Sequence, residues 1–141
     1  MTYQWDKLDQ TGLSEEKIAR LIDGCVLAHS DFLSVGLACG IRAAFRMLGE
    51  MGGERHRHTV DRAQLRANAC VAIAFLVITC VNPCKGTMDF TYYAGPDWEA
   101  VGRNDRREVR IKMRSASFAD AAAVFAAGDD QLFESVEVVE L

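Results

Sequence analysis

The chain has 141 residues, half of which are apolar, and a formal net charge of −4 at pH 7. This length and this apolar content fit one domain with a substantial core. The charge, with no long acidic or basic run, argues against a nucleic-acid-binding protein. A membrane-spanning helix needs about 18 apolar residues without interruption, and no stretch of the chain is that long. We therefore expect no membrane partner.

The first residues of the chain and the number of cysteines indicate the cellular compartment in which the protein works. The first residues lack the basic-then-apolar order of a secretory signal. The five cysteines are an odd number, which is typical of reduced thiols rather than a disulfide framework. We therefore expect a cytoplasmic protein.

Two helices are predicted in the first third of the chain. Ser14 precedes Glu15 and Glu16, which is typical of an N-cap followed by acidic residues in the first turn. Apolar residues then recur at helical spacing and predict a helix over about 14–28. A second helix is predicted over 36–49, where small residues would allow close packing and a glycine cluster ends the helix.

The middle of the chain contains a segment whose structure the pattern leaves open. A short strand is predicted over 64–67, and Asn68 is a good N-cap for a helix over about 69–80. The later half of that segment is nevertheless rich in β-prone residues. A fully apolar run fits a buried helix or a buried strand, so periodicity does not decide between them.

The last part of the chain is predicted to be mostly strand. Aromatic and β-branched residues predict a strand over 87–93, and alternating patterns predict strands over 98–102 and 108–113. An alanine-rich helix over 117–127 and a final strand over 133–139 follow. Helices first, then a small, mainly antiparallel sheet with one more helix, predict an α+β fold in a single domain over residues 1–141.

Three short motifs follow one another along the chain: Gly-Leu-Ala-Cys-Gly-Ile-Arg-Ala-Ala at 36–44, Asn68-Ala69-Cys70, and Cys84-Lys85-Gly86. The first resembles the start of a helix in the FmdE-like family, named after a component of formylmethanofuran dehydrogenase. The second is similar to the family's Asp-Ala-Cys helix start, and the third is similar to its Gly-Lys-Gly turn. The segments 108–111 and 131–138 resemble its closing strands. The resemblance implies the family's fold, and a metal, usually zinc, held by a His-x-His turn and cysteines.

The chain departs from the family pattern at several of these places. His29-Ser30-Asp31 matches the His-x-His turn only with one residue inserted, and Asp31 then replaces the second histidine. Ser34-Val35 replaces a Cys-Pro pair, and Ile73 and Leu76 replace polar residues of the cysteine helix. These departures indicate that the fold is retained while the chemistry can differ.

Soft metal ligands cluster around the two turns that the family uses. Cys70 lies at a predicted helix N-terminus, where backbone N–H groups favour a thiolate. Cys80 and Cys84 share a turn, and His29 and Asp31 are alternate residues of one loop. Imidazole, carboxylate and thiolate groups suit zinc or iron. We therefore predict a metal site with five candidate ligands: His29, Asp31, Cys70, Cys80 and Cys84.

The leading functional hypothesis is a metal-dependent enzyme or metal-binding protein acting on a small molecule. The ion would polarise a carbonyl or thiol-bearing substrate or activate water. Cys70, Lys85 and Asp31 are the candidate catalytic residues, and Lys85 would neutralise an acidic group of the substrate. Each of these residues also has an ordinary structural interpretation as a packed thiol, a helix cap or a solvated side chain.

Two alternatives stay open. The first is a non-catalytic accessory protein that kept the fold and lost the metal, which the substitutions at Asp31, Ser34, Ile73 and Leu76 favour. The second is a redox enzyme that binds haem or another cofactor, with His29 or Cys70 as the axial ligand.

The remaining cysteines, histidines and aromatic residues are assigned structural roles. Cys25 and Cys39 fall on packed helix faces and are predicted core residues. His56 and His58 are placed in a solvated loop, although their two-residue spacing can chelate a metal. Because aromatic strands around Tyr92 would leave the small sheet partly exposed, we expect a homodimer.

Overall fold

The computed structural model describes residues 11–141, in which helices pack against one face of a five-stranded sheet. The helices are α1 (Glu15–Ala28), α2 (Val35–Glu50), α3 (Ala69–Thr79), α4 (Ala121–Ala126) and α5 (Asp129–Leu132), with a 3-10 turn at Pro83–Lys85. The strands are β1 (Arg62–Ala67), β2 (Met88–Tyr92), β3 (Glu99–Arg103), β4 (Arg107–Met113) and β5 (Phe133–Glu140).

The sheet is mixed, with strand order β2-β1-β3-β4-β5. Strands β1 and β2 are parallel, and each remaining pair is antiparallel. Helix α3 makes the crossover between the two parallel strands, as parallel pairing requires. This arrangement confirms the predicted α+β fold.

Most of the predicted elements are confirmed within a few residues. Helix α1 begins after Ser14, whose hydroxyl accepts a hydrogen bond from the Lys17 N–H. The undecided apolar segment is helix α3, capped by the Asn68 side chain, which accepts from the Val71 N–H. A helix that is apolar on every side is stable only when it is covered by its neighbours. Helix α3 largely meets that condition because it packs against α2, α1 and β1. Its Leu76 side chain nevertheless stays 39% exposed.

The predicted helix over 117–127 is wrong at its start. Helix α4 begins only at Ala121, because Asp120 has an extended backbone and acts as the N-cap. Its carboxylate accepts a 2.8 Å hydrogen bond from the Ala123 N–H. Alanine content alone therefore overestimated the length of this helix.

Helices α2 and α3 approach closely at Gly40. A Cβ atom at this position would lie 2.9 Å from the Val71 Cα and 3.2 Å from the Ala74 Cβ. Val71 and Ala74 are fully buried in the first turns of α3. The missing side chain of Gly40 therefore sets how closely the start of α3 approaches α2.

A buried arginine joins α2 to the segment that follows α4. The Arg42 side chain is 1% exposed. Its Nη1 donates to the carbonyl oxygens of Val124 at 2.8 Å and Ala127 at 2.9 Å, and its Nη2 donates to Asp129 Oδ1 at 2.7 Å. These bonds satisfy carbonyls at the end of α4 and keep the charge paired, as a buried guanidinium requires.

In the part of the chain that the structure describes, no helix has the length and apolar character to cross a bilayer.

We expect Gly40→Ala to destabilise the fold by about 1–3 kcal/mol, because the new methyl group overlaps the α3 backbone. Urea unfolding measures the change. The matched control is Gly36→Ala in the same helix, where a Cβ meets no atom closer than 3.7 Å. The control should be neutral or stabilising by up to about 1 kcal/mol. Equal stability of the two variants would contradict the close approach at Gly40.

Candidate functional site

The structure brings His29 and Cys70 into direct contact. The His29 Nε2 lies 2.9 Å from the Cys70 Sγ, and the Nδ1 of the same ring lies 3.1 Å from the carbonyl oxygen of Phe32. Both side chains are partly exposed. The imidazole therefore joins a thiol on one side to a backbone acceptor on the other.

The turn after α1 positions the imidazole. His29 is the C-cap of α1, and its N–H donates to the carbonyls of Cys25 and Val26. Ser30 and Asp31 then adopt left-handed backbone angles, with φ of 65° and 58°. The Asp31 N–H donates to the Val26 carbonyl at 2.9 Å. This tight turn carries Phe32 back to the imidazole, where its carbonyl oxygen can accept from Nδ1.

The start of α3 positions the thiol. The Asn68 cap makes Cys70 the second residue of the helix. The N–H groups of Ala69 and Cys70 form no hydrogen bond with another described group, since the Asn68 side chain accepts from Val71 instead. Free N–H groups at a helix start favour negative charge nearby. The sulfur of Cys70 therefore lies in the first turn of α3, to which these free N–H groups belong.

The hydrogen bonds also define how the pair can move a proton. A carbonyl oxygen only accepts, so the Phe32 contact requires a proton on Nδ1. A neutral ring then leaves the lone pair of Nε2 free to accept the thiol proton. The pair can interconvert between thiol–imidazole and thiolate–imidazolium. Enzymes that use covalent catalysis combine the same three groups: a nucleophile, a base, and a third group that orients the base.

A small cavity of about 220 Å³ lies beside the start of α2 and the cap of α3, and neither His29 nor Cys70 lines it. Gly36 and Asn68 are part of its wall. A Cβ at Gly36 would lie 3.9 Å from the Cys70 Sγ, so the wall of the cavity comes close to the sulfur at this residue. Trp98, Met113 and Phe118 make the opposite lining largely apolar, with Arg114 beside them.

The other two predicted ligand cysteines lie at the opposite end of α3. Cys80 is the C-cap of this helix, and ten helical residues from Cys70 rise about 15 Å. Cys84 follows in the exposed 3-10 turn. No group of three or more His, Cys, Asp or Glu side chains within residues 11–141 is arranged to hold a metal. The expected five-ligand centre is therefore not formed, because a straight helix separates its two halves.

The two remaining candidate catalytic residues are also apart from the pair in role or in place. The Asp31 side chain is exposed and forms no hydrogen bond or ion pair with a described residue. Ser34, not Asp31, caps α2. Lys85 lies in the 3-10 turn, next to Cys80 rather than Cys70. Lys85 therefore does not neutralise a substrate bound at Cys70.

Cys25 and Cys39 are buried, as predicted for core residues. Desolvation raises the pKa of the Cys25 thiol from its usual value of 9.0 to about 12. Desolvation likewise raises the pKa of the Cys39 thiol to about 11. Buried thiols of this kind stay protonated and unreactive at neutral pH.

Sequence reasoning missed two features of the structure that bear on chemistry. The Phe32 carbonyl that orients His29 has no sequence signal, because any residue could supply it. The His58 Nδ1 lies 3.0 Å from Asp61 Oδ1. The i, i+3 spacing of His58 and Asp61 is present in the sequence. It was not used because the segment was interpreted as a polar loop.

The chain was compared with protein-family models and with curated proteins, and neither comparison found a match.

We expect the five thiols to separate sharply in reactivity. At pH 8, iodoacetamide should label the exposed Cys84 and leave Cys25 and Cys39 unmodified in the native state, as read by peptide mass spectrometry. Since the raised pKa values keep Cys25 and Cys39 protonated until about pH 11, their labelling should stay negligible between pH 7 and 9. Labelling of either at pH 8 at the rate of Cys84 would contradict their burial.

Proposed function

We propose that this chain is an enzyme that acts on a small carbonyl compound, with Cys70 as the nucleophile and His29 as the general base. The contact of 2.9 Å between the His29 Nε2 and the Cys70 Sγ is the observation that supports this proposal. The Phe32 carbonyl supplies the orienting contact that such a base needs.

The reaction that fits these groups is acyl transfer in two steps. The His29 Nε2 takes the proton from the Cys70 thiol, and the sulfur attacks the carbonyl carbon of an activated acyl compound. The bond to the leaving group breaks, and the imidazolium returns its proton to that group. Water, deprotonated by His29, then attacks the thioester carbonyl. The carboxylic acid leaves and the thiol is restored, so no oxidant or reductant is needed.

The backbone at the start of α3 adds a second element to this mechanism. The N–H groups of Ala69 and Cys70 are donors without a described acceptor. Donors near a nucleophile can stabilise the oxyanion that develops on the attacked carbonyl. We assign them this role, since they belong to the nucleophile's own turn.

The size of the cavity beside Gly36 supports the proposal that the substrate is small. Its volume is about 220 Å³, whereas pockets for drug-sized ligands have volumes of about 300 Å³ or more. Its largely apolar lining fits a short, uncharged acyl group. A cavity of this size gives little support to the haem alternative.

A metal centre at the same pair is the second candidate function. The contact between Nε2 and Sγ places two of the donor types that zinc and iron prefer against each other. Catalytic zinc sites use three protein ligands, whereas residues 11–141 supply two here. The donor set of these residues is therefore incomplete for a zinc or iron centre, and we derive no chemical step through a metal.

Family membership and self-association are proposed on the same terms. We propose that the chain is a divergent member of the FmdE-like family, since both residues of the pair come from segments that resemble its motifs. We also propose a homodimer. Exposed apolar side chains on the edge strand β2, such as Tyr92 at 69% exposure, support that proposal.

The acyl-transfer proposal predicts a burst with p-nitrophenyl acetate. Cys70 should gain one acetyl group by intact-protein mass spectrometry while one equivalent of p-nitrophenolate is released. Cys70→Ala should abolish the burst, and His29→Ala should slow it by about 100-fold, which is the contribution of a positioned general base. The matched controls are Cys84→Ala, an exposed thiol, and His56→Ala, an exposed imidazole.

Two outcomes of this experiment would overturn the proposal. An undiminished burst in Cys70→Ala would show that another thiol reacts. An equal acetylation rate in His29→Ala would show that the imidazole is not the base. Metal analysis of the same preparations tests the second candidate: a stoichiometric zinc or iron ion that is lost in Cys70→Ala and retained in Cys84→Ala would favour the metal centre.

A further inference from the structure

A second cavity, of about 470 Å³, lies at the opposite end of α3 from the His29–Cys70 pair. It is lined by two cations, a histidine and its carboxylate partner, a thiol and a hydroxyl: Arg57, Lys85, His58, Asp61, Cys80 and Thr87. Two separate segments supply this lining, the loop before β1 and the chain from the end of α3 to β2.

The end of α3 holds the two segments together. The Arg55 side chain donates two hydrogen bonds, of 2.8 and 3.1 Å, to the Val77 carbonyl oxygen in the last turn of α3. This contact places the loop that carries Arg57 and His58 beside Cys80. The same contact places the Arg55 guanidinium at the C-terminal end of α3. This helix end carries partial negative charge, which would otherwise repel an anion.

The charges of this cavity favour an anion. Neither Arg57 nor Lys85 forms an ion pair with a described residue. The one carboxylate in the lining, Asp61, is bonded to the His58 Nδ1 at 3.0 Å. Two cations against one carboxylate make this cavity positive in a chain whose formal net charge is −4.

The thiol beside the cations is partly accessible. Cys80 is half-buried and has a left-handed backbone with φ of 70°, which lets the chain turn sharply at the end of α3. The turn continues into the 3-10 segment, where the Asn82 side chain accepts from the Cys84 N–H at 2.8 Å. Lys85 therefore follows Cys80 back to the same cavity.

We propose that this cavity is a second site, which binds a small organic oxyanion through Arg57 and Lys85 and places it next to the Cys80 thiol. The ligand class is a molecule with a phosphate or carboxylate group. The site is independent of the His29–Cys70 pair, since about 15 Å of helix separates the two thiols.

Competition between a charged and a neutral alkylating agent tests this site. Iodoacetate carries a carboxylate and iodoacetamide is neutral, but both modify the same sulfur. The ratio of the two rate constants should be about 5-fold higher at Cys80 than at Cys70, because the cations concentrate the anionic reagent. Peptide mass spectrometry reads both thiols in one sample. Cys84 is a poor reference, since Lys85 is its neighbour in sequence.

Charge removal and competition provide the controls. The double variant Arg57→Gln and Lys85→Gln should lower the ratio at Cys80 to that at Cys70, whereas the exposed Arg106→Gln should leave it unchanged. Inorganic phosphate and succinate, added separately at millimolar concentration, should slow labelling of Cys80 by iodoacetate but not that of Cys70. Protection by either one supports the site and identifies the oxyanion that it prefers.

The proposal is overturned by either of two results. One is a ratio at Cys80 equal to that at Cys70 in the unmodified chain. The other is a raised ratio that persists in the double variant while neither phosphate nor succinate protects Cys80.

Discussion

The close approach of α2 and α3 at Gly40 is the constraint on which the candidate site depends. A Cβ atom at Gly40 would lie 2.9 Å from the Val71 Cα, so the contact between the two helices leaves room for hydrogen alone. Cys70 directly precedes Val71, so the position of the thiol follows from this contact. A larger residue would displace the sulfur as well as the helix.

The second fixed point of the site is the turn between α1 and α2. Two consecutive left-handed residues, Ser30 and Asp31, reverse the chain within a few residues of His29. Such angles are unfavourable for residues other than glycine, although Asp tolerates them better than most. The hydrogen bond from the Asp31 N–H to Val26 and the Phe32 contact with His29 offset that cost. The imidazole is therefore held by its own loop, and the thiol by the helix packing.

Sequence reasoning predicted much of the fold because local signals agreed with the tertiary structure. The cap at Ser14 and the helical spacing after it located α1, and alternating residues located β3 and β4. Segment 69–79 could not be decided because its residues are apolar on every side. Its helical state depends on α1, α2 and β1 covering it, and a local pattern does not contain that information.

The candidate site was predicted only in part. His29 and Cys70 were both selected, from residue chemistry and from the resemblance to a family. Grouping them with Cys80 and Cys84 was wrong, because closeness in sequence across an apolar segment becomes about 15 Å once that segment is a helix. The role of Arg42 was also missed, since its partners are two backbone carbonyls and the Asp129 carboxylate, all more than 80 residues away.

The two ends of α3 present different chemistry. Its N-terminus combines free N–H groups with a thiol and an imidazole, which suits a nucleophile. Its C-terminus is met by Arg55 and lies beside the cavity that Arg57 and Lys85 line. One buried helix thus separates a candidate reaction centre from a candidate anion site, and each is built from loops that the helix positions.

The position of the proton on the His29 ring decides whether this imidazole can act as the base for Cys70. Long-range nitrogen–proton NMR correlation distinguishes the two ring nitrogens. We expect a proton on Nδ1, bonded to the Phe32 carbonyl, and an Nε2 resonance that shifts when Cys70 is replaced by alanine. A neutral ring protonated on Nε2, with resonances that Cys70→Ala leaves unchanged, would contradict a thiol–imidazole pair oriented by Phe32.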